Sequence, residues 1–472
     1  MTTPQQAAGD PRSGAATRLS AAVRLTAGAI IAGVLVLGTA GGVAFGWVSH
    51  TSPPSAKVVA PNSADSMLTC SGPLLAIGRD ANAPAKITEV ARDRVTSTGE
   101  DQKRSSLKTP GVSGDSGPVR LLTPAQGRTA PGAAGASSAS AADEDLAGFA
   151  ASACAPARME SWLIAGSTMP GSADLILLAN PGAVPATVDL TLFGEGGAHQ
   201  SGGGNDVVVA PGTQRVVPLA GLGLQQAAPI VRVTATGAPV RAVLQSSIVR
   251  GLEPGGLDQS GVAAAAAQRQ VITGVRVARQ AQGDATSIVR LLSPAKDATA
   301  SVSVIGEHGT TGPALQVPLE AGSPVDAELG SLAPGDYSVI VTADQPVVGA
   351  VWQATGTGKG DDFSWVAAGP ALPPVKDGTV FSVPGGPSPV LMLVGAGDAT
   401  SVTVTPVAGG MAQKIAVGPG QTASAQLAAG RSYRLLSDHA VHASVAFAGP
   451  DALASFPVWP QDAASAPVRI YP

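Results

Sequence analysis

The sequence predicts an all-β protein made of tandem immunoglobulin-like β-sandwich modules behind a single N-terminal transmembrane helix. Gly and Pro supply 98 of the 472 residues, as 59 and 39, where average usage is about 12%. Short runs rich in Val, Ile, Leu and Thr alternate with these residues and recur in the same order three times. One long uncharged stretch precedes them. This pattern favours many short strands joined by turns.

The uncharged stretch covers residues 25–48, LTAGAIIAGVLVLGTAGGVAFGWV. About 24 residues span about 36 Å as a helix, which exceeds a bilayer core of about 30 Å. Arg12, Arg18 and Arg24 precede it, and Lys57 is the nearest cation after it. The positive-inside rule therefore predicts a plasma-membrane anchor with a cytoplasmic N-terminus and extracellular C-terminal domains. A cleaved signal peptide is the alternative, although its apolar core is only about 7–15 residues long.

Three glycines in this stretch, Gly38, Gly42 and Gly46, repeat a G-x-x-x-G spacing. This spacing lets two membrane helices approach closely, and it suggests a helix partner in the membrane. The alternative interpretation is an anchor that is merely rich in Gly and Ala.

The two cysteines, Cys70 and Cys154, both follow the predicted helix. In an oxidising compartment outside the membrane we expect them to form a disulfide. Closing a loop of about 85 residues stabilises a fold by about 4.5 kcal/mol in the chain-entropy model. The alternative is two unpaired, buried thiols.

Composition and repeats divide the chain into six segments. They are a disordered cytoplasmic tail (1–24), the transmembrane helix (25–48), a tether with a partial β module and flexible linker (49–158), and three β-sandwiches (159–266, 267–370 and 371–472). Within the third segment, GVSGDSGP (111–118) and APGAAGASSASAADED (130–145) are typical of linker.

Each sandwich segment contains seven short strand-like runs. Strand alternation is clearest in VDLTLF, where Val188, Leu190 and Leu192 share one face while Asp189 and Thr191 take the other. The segments 178–194, 291–306 and 393–407 carry the same strand, turn and strand. Three such modules in line would reach on the order of 100 Å from the membrane.

The chain resembles a family of actinobacterial membrane-anchored proteins known as domain of unknown function 5719. The similarity covers about residues 20–472 and rests on Cys70, on ACAPARMESWLIAGST (153–168), on LANPGAVPATVDLTLFGEGG (178–197), on APGTQRVVPLAGL (210–222) and on VRGLEPGGLD (249–258). The resemblance implies an exported, membrane-tethered envelope protein, and it suggests an association with cell-wall glycosyltransferases. It supplies no activity and no catalytic residue.

Motifs that would indicate enzyme chemistry are incomplete. GDSGP (114–118) contains Ser116 of a protease-like motif, but His50 is the only upstream histidine and lacks that family's surroundings. In GTGKGDD (356–362), Gly360 follows Lys359 where a phosphate loop requires Ser or Thr. His439 and His442 stand at i and i+3 of a predicted strand, on opposite faces. We therefore expect no metal, no cofactor and no catalytic site.

Exposed aromatic rings are the remaining candidates for ligand contact. Trp365 follows GKGDDFS and is predicted to lie in a loop, where it is a candidate contact for a glycan. Trp352 stands in VVGAVWQA and is predicted to pack in a core. No row of aromatic residues typical of a glycan platform is visible.

The predicted function is that of a non-catalytic envelope protein that binds or scaffolds outside the membrane, for the cell-wall or division machinery. The alternative is a cell-wall glycan-binding protein that assists envelope glycosyltransferases, and a hydrolase is less favoured. The net charge of −4 and the absence of a basic run argue against nucleic acid as a partner.

Overall fold

The computed structural model describes residues 14–45, 57–59, 62–128, 130–277, 287–461 and 468–470. The chain divides into two compact units, one formed by residues 1–61 with 467–472 and the other by residues 62–466. Helix α1, Gly14–Ala44, lies in the first unit, and every other long element is a β-strand. The prediction of an all-β protein with one N-terminal apolar helix is confirmed.

The first unit contains α1 and a two-stranded antiparallel sheet. Val23–Ala44 is long and apolar enough to cross a membrane, with a mean hydropathy of 2.0. The predicted tail 1–24 is wrong for residues 14–24, which are helical because Ala, Leu and Arg are strong helix formers. The first strand β1, Lys57–Val59, pairs with the last strand β36, Val468–Ile470. The last residues therefore belong to this unit and not to the predicted sandwich 371–472.

The second unit begins with an N-terminal module, residues 62–158. Its nine strands are β2 Ser66–Thr69, β3 Leu74–Ile77, β4 Ile87–Ala91, β5 Arg94–Thr98, β6 Lys103–Ser106, β7 Val112–Ser113, β8 Val119–Thr123, β9 Ala134–Ala142 and β10 Ala147–Ala153. They form three sheets in the orders β2-β8-β6, β3-β4-β7 and β10-β9-β5.

The predicted flexible linkers of this module are wrong. Most of 130–145 is β9, whose residues 134–139 are buried. Small side chains are required there because a Cβ on Gly135 would come within 3.1 Å of the Cys154 Sγ. Within 111–118, Val112–Ser113 is a strand, and the Ser116 N–H donates to the Glu89 carboxylate at 3.0 Å.

Sandwich 1 follows. Its strands are β11 Glu160–Ile164, β12 Leu175–Asn180, β13 Ala186–Gly194, β14 Gly197–Gln200, β15 Val207–Val209, β16 Thr213–Pro218, β17 Ile230–Thr236, β18 Arg241–Arg250 and β19 Glu253–Ser260. A 3-10 turn, Leu219–Gly221, follows β16. One sheet has the order β11-β17-β13-β14, with β15 also on β13, and the other has the order β16-β12-β18-β19. The predicted alternation in β13 is confirmed, since Val188, Leu190 and Leu192 are buried.

Sandwich 2 repeats this order. Its strands are β20 Ala267–Val277, β21 Ile288–Leu292, β22 Ala298–Gly306, β23 Gly309–Thr310, β24 Leu315–Leu319, β25 Val325–Glu328, β26 Gly335–Ala354 and β27 Phe363–Ala367. The long β26 joins both sheets, because its first half pairs with β20 and β22 and its second half pairs with β21 and β27.

Sandwich 3 completes the unit. Its strands are β28 Thr379–Val383, β29 Val390–Gly395, β30 Thr400–Pro406, β31 Gln413–Val417, β32 Thr422–Gln426, β33 Arg431–Ser437, β34 Val441–Gly449 and β35 Ala452–Pro457. Its sheets run β28-β33-β30-β31 and β32-β29-β34-β35. The same pairing recurs in the N-terminal module as β2-β8-β6 and β10-β9-β5, so that module is a fourth copy with a β3–β4 insertion.

Each module ends in a hairpin strand that the sequence analysis did not predict. These strands are β10, β19, β27 and β35, and we call them the hub strands. β10 packs against β19 and β35, and β27 also packs against β19 and β35. The four modules therefore close into a ring, and the prediction of three sandwiches in line is wrong. The physical reason is that the hub strands are buried on both faces and must pack against one another.

The carboxylate of Asp362 lies at the centre of this ring. Its Oδ2 accepts the backbone N–H of Phe149 in β10 and of Leu453 in β35, each at 3.0 Å. Its Oδ1 accepts the N–H of Leu257 in β19, also at 3.0 Å, and its own neighbour Phe363 adds a fourth backbone N–H. One side chain thus joins all four modules.

Glycines at the equivalent positions of two other modules make room for this carboxylate. Gly256 has φ +111, and a Cβ there would lie 2.7 Å from the Phe363 Cδ1 and 2.9 Å from the Asp362 Oδ1. Gly148 has φ +142, and its Cβ would lie 2.5 Å from the same oxygen. The hub strands can approach the Asp362 carboxylate this closely only because Gly148 and Gly256 have no Cβ.

We predict that Gly256→Ala destabilises the unit by about 2–4 kcal/mol, because it adds overpacking to a left-handed backbone conformation. Urea unfolding of the full chain in detergent, followed by tryptophan fluorescence, measures this change. Gly312→Ala is the matched control, since an added Cβ there meets nothing within 4 Å, and it should change stability by less than about 0.5 kcal/mol. Equal effects of the two substitutions would contradict the close contact at the hub.

The disulfide between Cys70 and Cys154 is formed, with Cα atoms 4.0 Å apart and 84 residues of separation. It joins the residue that follows β2 to the residue that follows the hub strand β10. The predicted pairing is therefore confirmed, and the bond fixes one end of a hub strand.

We predict that the double substitution of both cysteines by Ala lowers the free energy of unfolding by up to about 4.5 kcal/mol, because the unfolded chain gains loop entropy. The same unfolding assay measures the change. Adding a reductant should have no further effect on the double variant, and an unchanged wild-type midpoint in reductant would argue against a stabilising bond.

Candidate functional site

A depression of about 700 Å³ opens where the hub strands begin, and all four modules line it. β9 and β10 contribute residues 138–142 and 147–149, sandwich 1 contributes Pro254, and sandwich 2 contributes Gly360 and Asp361. Sandwich 3 adds residues 385–387, 451 and 452. Its volume lies within the range of about 300–1,000 Å³ that is typical of ligand sites.

The lining of the depression carries charges of both signs. Arg92 and Arg94 of the N-terminal module line it and are exposed, and Asp361 of sandwich 2 and Asp451 of sandwich 3 also line it. Arg92 contacts Glu89 at 3.2 Å, but its side chain is 70% exposed, so its charge is available to a ligand. Between the two arginines, burial raises the pKa of Asp93 to about 6.

Two buried carboxylates stand behind the depression and hold the hub strands. Burial raises the pKa of Asp362, whereas the four backbone N–H groups act in the opposite direction by stabilising its charge. Asp258 of sandwich 1 accepts the Trp365 N–H of sandwich 2 at 2.9 Å and the Ser260 hydroxyl at 2.6 Å. Burial raises its pKa to about 7. Each of sandwiches 1 and 2 therefore provides a carboxylate that accepts a backbone N–H of the other, and these contacts hold the two hub strands together.

Trp365 is not an exposed loop residue, so this prediction is wrong. It lies in β27, is only 5% exposed, and has the guanidinium carbon of Arg290 at 4.4 Å from its ring centroid. The polar loop ends at Asp362, one residue before the strand. Trp352 lies opposite Trp365 in the sheet register and is half-buried against the core of sandwich 1.

Arg290 joins sandwiches 1 and 2 beside these rings. It forms a two-point ion pair with Asp326, with Nε to Oδ1 at 2.8 Å and Nη2 to Oδ2 at 2.9 Å. The same guanidinium donates to the Gly166, Pro229 and Ala227 carbonyl oxygens of sandwich 1. Nearby, burial raises the pKa of Asp174 to about 7. This cluster surrounds a cleft of about 190 Å³, but its hydrogen bonds serve the interface between the two sandwiches.

A known protein family matches most of the chain. Residues 109–428 match DUF5719, a family of unknown function, and they cover more than half of the chain. The chain belongs to this family. No curated protein matches it.

In this DUF5719 protein, the other residues that the sequence analysis considered as possible site residues contact neighbouring protein groups. The Ser116 hydroxyl donates to Glu89, and Lys359 pairs with Glu253 at 2.8 Å. Arg79 pairs with Asp143 at 2.8 Å and also with Asp145. The ring of His442 contacts the Gly369 carbonyl, and burial lowers its pKa to about 4. Among the described residues, no group of three or more His, Cys, Asp or Glu could hold a metal ion.

The glycines proposed for helix packing are placed only in part. Gly38 and Gly42 lie in α1, and an added Cβ on either would meet nothing within 4 Å. Gly46 lies outside the described residues. A helix partner at this spacing stays a prediction.

Asp258 makes the stability of the folded protein depend on pH. The folded pKa of Asp258 is about 7, and that of an unfolded Asp is about 3.9. Its contribution is therefore fully present below about pH 4 and is lost as the pH rises to about 7. Asn resembles the protonated Asp side chain at every pH. We predict that the free energy of unfolding of Asp258→Asn, relative to that of the wild type, increases when the pH is raised from 5 to 8.

Urea unfolding at the two pH values measures this difference, which can grow by at most roughly 1.4 kcal/mol for each pH unit between the two pKa values. Asp451→Asn is the control, because Asp451 is exposed in the turn that precedes another hub strand, β35. A pH-independent difference for Asp258→Asn would contradict the raised pKa.

Proposed function

We propose that this protein is a membrane-anchored, non-catalytic binding protein of the cell envelope that holds a protein partner in the hub depression. The observation that carries the proposal is the depression itself, since all four modules line it and one buried carboxylate joins them. A site built by four modules has a fixed shape, and a rigid site loses little entropy on binding.

The proposed location rests on three features. Val23–Ala44 can span a membrane, and Arg12, Arg18 and Arg24 precede most of this span, as expected for a cytoplasmic N-terminus. The Cys70–Cys154 disulfide suits an oxidising compartment. These features support a single-pass anchor with the ring outside the membrane, where cell-wall or division proteins are accessible.

A protein partner is favoured over a glycan. The glycan hypothesis depended on an exposed Trp365, and the ring of this residue is buried against Arg290. The depression instead offers separated charges of both signs and exposed backbone. Charge complementarity of this kind gives specificity to protein interfaces.

The buried carboxylates have structural partners, which supports a non-catalytic role. Asp362 and Asp258 bind backbone N–H groups of neighbouring modules, and Glu89 binds Ser116. None of these contacts leaves an acid and a base facing a common open site, as acid–base catalysis requires.

Photo-crosslinking in cells tests this proposal. A photoreactive amino acid at Asp451, on the wall of the depression, should give a discrete envelope-protein adduct of the full-length chain. The control position is Met411, which is 91% exposed and does not line the depression. Adducts at both positions, or at neither, would count against a protein partner at this site.

A further inference from the structure

The depression contains an open β-sheet edge. β9 pairs with β10 along its length, whereas β5 pairs only with its first half and begins at Arg94, opposite Ser138. Beyond that point no strand borders β9 on the β5 side within the described part of the chain. Residues 139–142 therefore continue past their neighbour and line the depression.

The direction of the backbone groups on this edge follows from the antiparallel ladder. Paired residues alternate between those that exchange hydrogen bonds and those whose N–H and C=O groups point away. The Cys154 N–H donates to Gly135, and the Asp143 N–H donates to Leu146, so the odd-numbered residues of β9 bond to β10. The Phe149 N–H, opposite Ser140, points instead to Asp362.

Ser140 and Ala142 consequently direct their N–H and C=O groups toward the open edge. Both residues are exposed, and no protein hydrogen bond of these four groups occurs among the described residues. Two outward-facing residues on one edge are the pattern that an added strand requires.

Two arginines border the same edge. Arg94 lies opposite Ser138, so both side chains are on one face of the sheet. The Ser138 hydroxyl donates to Gly385 at 2.6 Å, and Gly385 lines the depression. Arg92 also lines the depression. A chain laid along β9 would therefore pass beside two guanidinium groups.

We propose that the depression binds an extended peptide segment with acidic side chains, which adds to the edge of β9 as an extra strand. Main-chain hydrogen bonds to Ser140 and Ala142 would provide affinity, and Arg92 and Arg94 would select acidic residues. This inference rests on the proposed function, because it specifies how a protein partner is recognised at that site.

Selection from a random twelve-residue peptide library displayed on phage, against the full chain in lipid nanodiscs, tests the inference. The selected peptides should be enriched in Asp and Glu. A synthetic copy of one should slow amide hydrogen exchange at Ser140 and Ala142, whose N–H groups are open in the free protein.

Two substitutions separate backbone pairing from charge attraction. Ala142→Pro removes one outward N–H at an exposed position that Pro can occupy, and it should weaken the synthetic peptide about tenfold, a loss of about 1.4 kcal/mol. Ala142→Ser retains the N–H and should bind as the wild type does. Arg94→Glu should weaken binding by at least the same factor, whereas Arg215→Glu, exposed on β16 away from the depression, should not.

Three results would overturn strand addition. They are failure to enrich any peptide, binding that Ala142→Pro leaves unchanged, and loss of binding in Arg94→Glu alone, which would indicate charge attraction only. Adducts specific to position 451 together with any of these results would leave the proposed function standing and reject only this mode of recognition. Without such adducts the proposed function itself fails.

Discussion

The four-module ring depends on one buried carboxylate. Asp362 accepts backbone N–H groups from all four hub strands, although removing a charge from water is costly. Each of these N–H groups is on the side of its strand that faces away from the hairpin partner, so it would otherwise be buried without an acceptor. The carboxylate satisfies all of them at once, which an Ala or Gly at this position could not do. The free-energy cost of burying the carboxylate is therefore offset by the four backbone N–H groups that would otherwise be buried without an acceptor.

The hub also explains a break in the internal repeat. The equivalent positions before the donor residues are Gly148, Gly256, Asp362 and Ala452. One carboxylate fills the centre, and a second large side chain would overlap it, as the distances from Gly148 and Gly256 show. The four modules share a topology but cannot share a residue here. The four equivalent positions meet at the centre of the ring, so only one of them can carry a large side chain and the repeats must differ there.

The features that could be predicted from the sequence are those that depend on local periodicity. The alternation in β13 indicated a sandwich strand, and the three repeats of 178–194 indicated related modules. The disulfide followed from two cysteines that both come after the predicted membrane helix. The hub strands were not predicted because they are buried on both faces, so that EPGGLDQS (253–260) shows neither alternation nor a strong apolar run. β9 was assigned to a linker for a related reason, since its Ala, Ser and Gly residues are small where Cys154 approaches. Trp365 was misplaced because its burial depends on Arg290 of a distant strand.

The candidate site could not be predicted from local sequence because it exists only after the ring closes. Its walls come from residues as distant as Arg92 and Asp451, and its open edge arises because β5 begins at Arg94 while β9 extends to Ala142. A strand edge exposed on an outer surface would invite uncontrolled pairing between copies. In this protein Pro254 and residues 385–387 line the same depression as the β9 edge, so an added strand would have to fit beside them. Ring closure at Asp362 thus has two effects: it buries the hub strands, and it brings residues of the other three modules beside the open edge of β9.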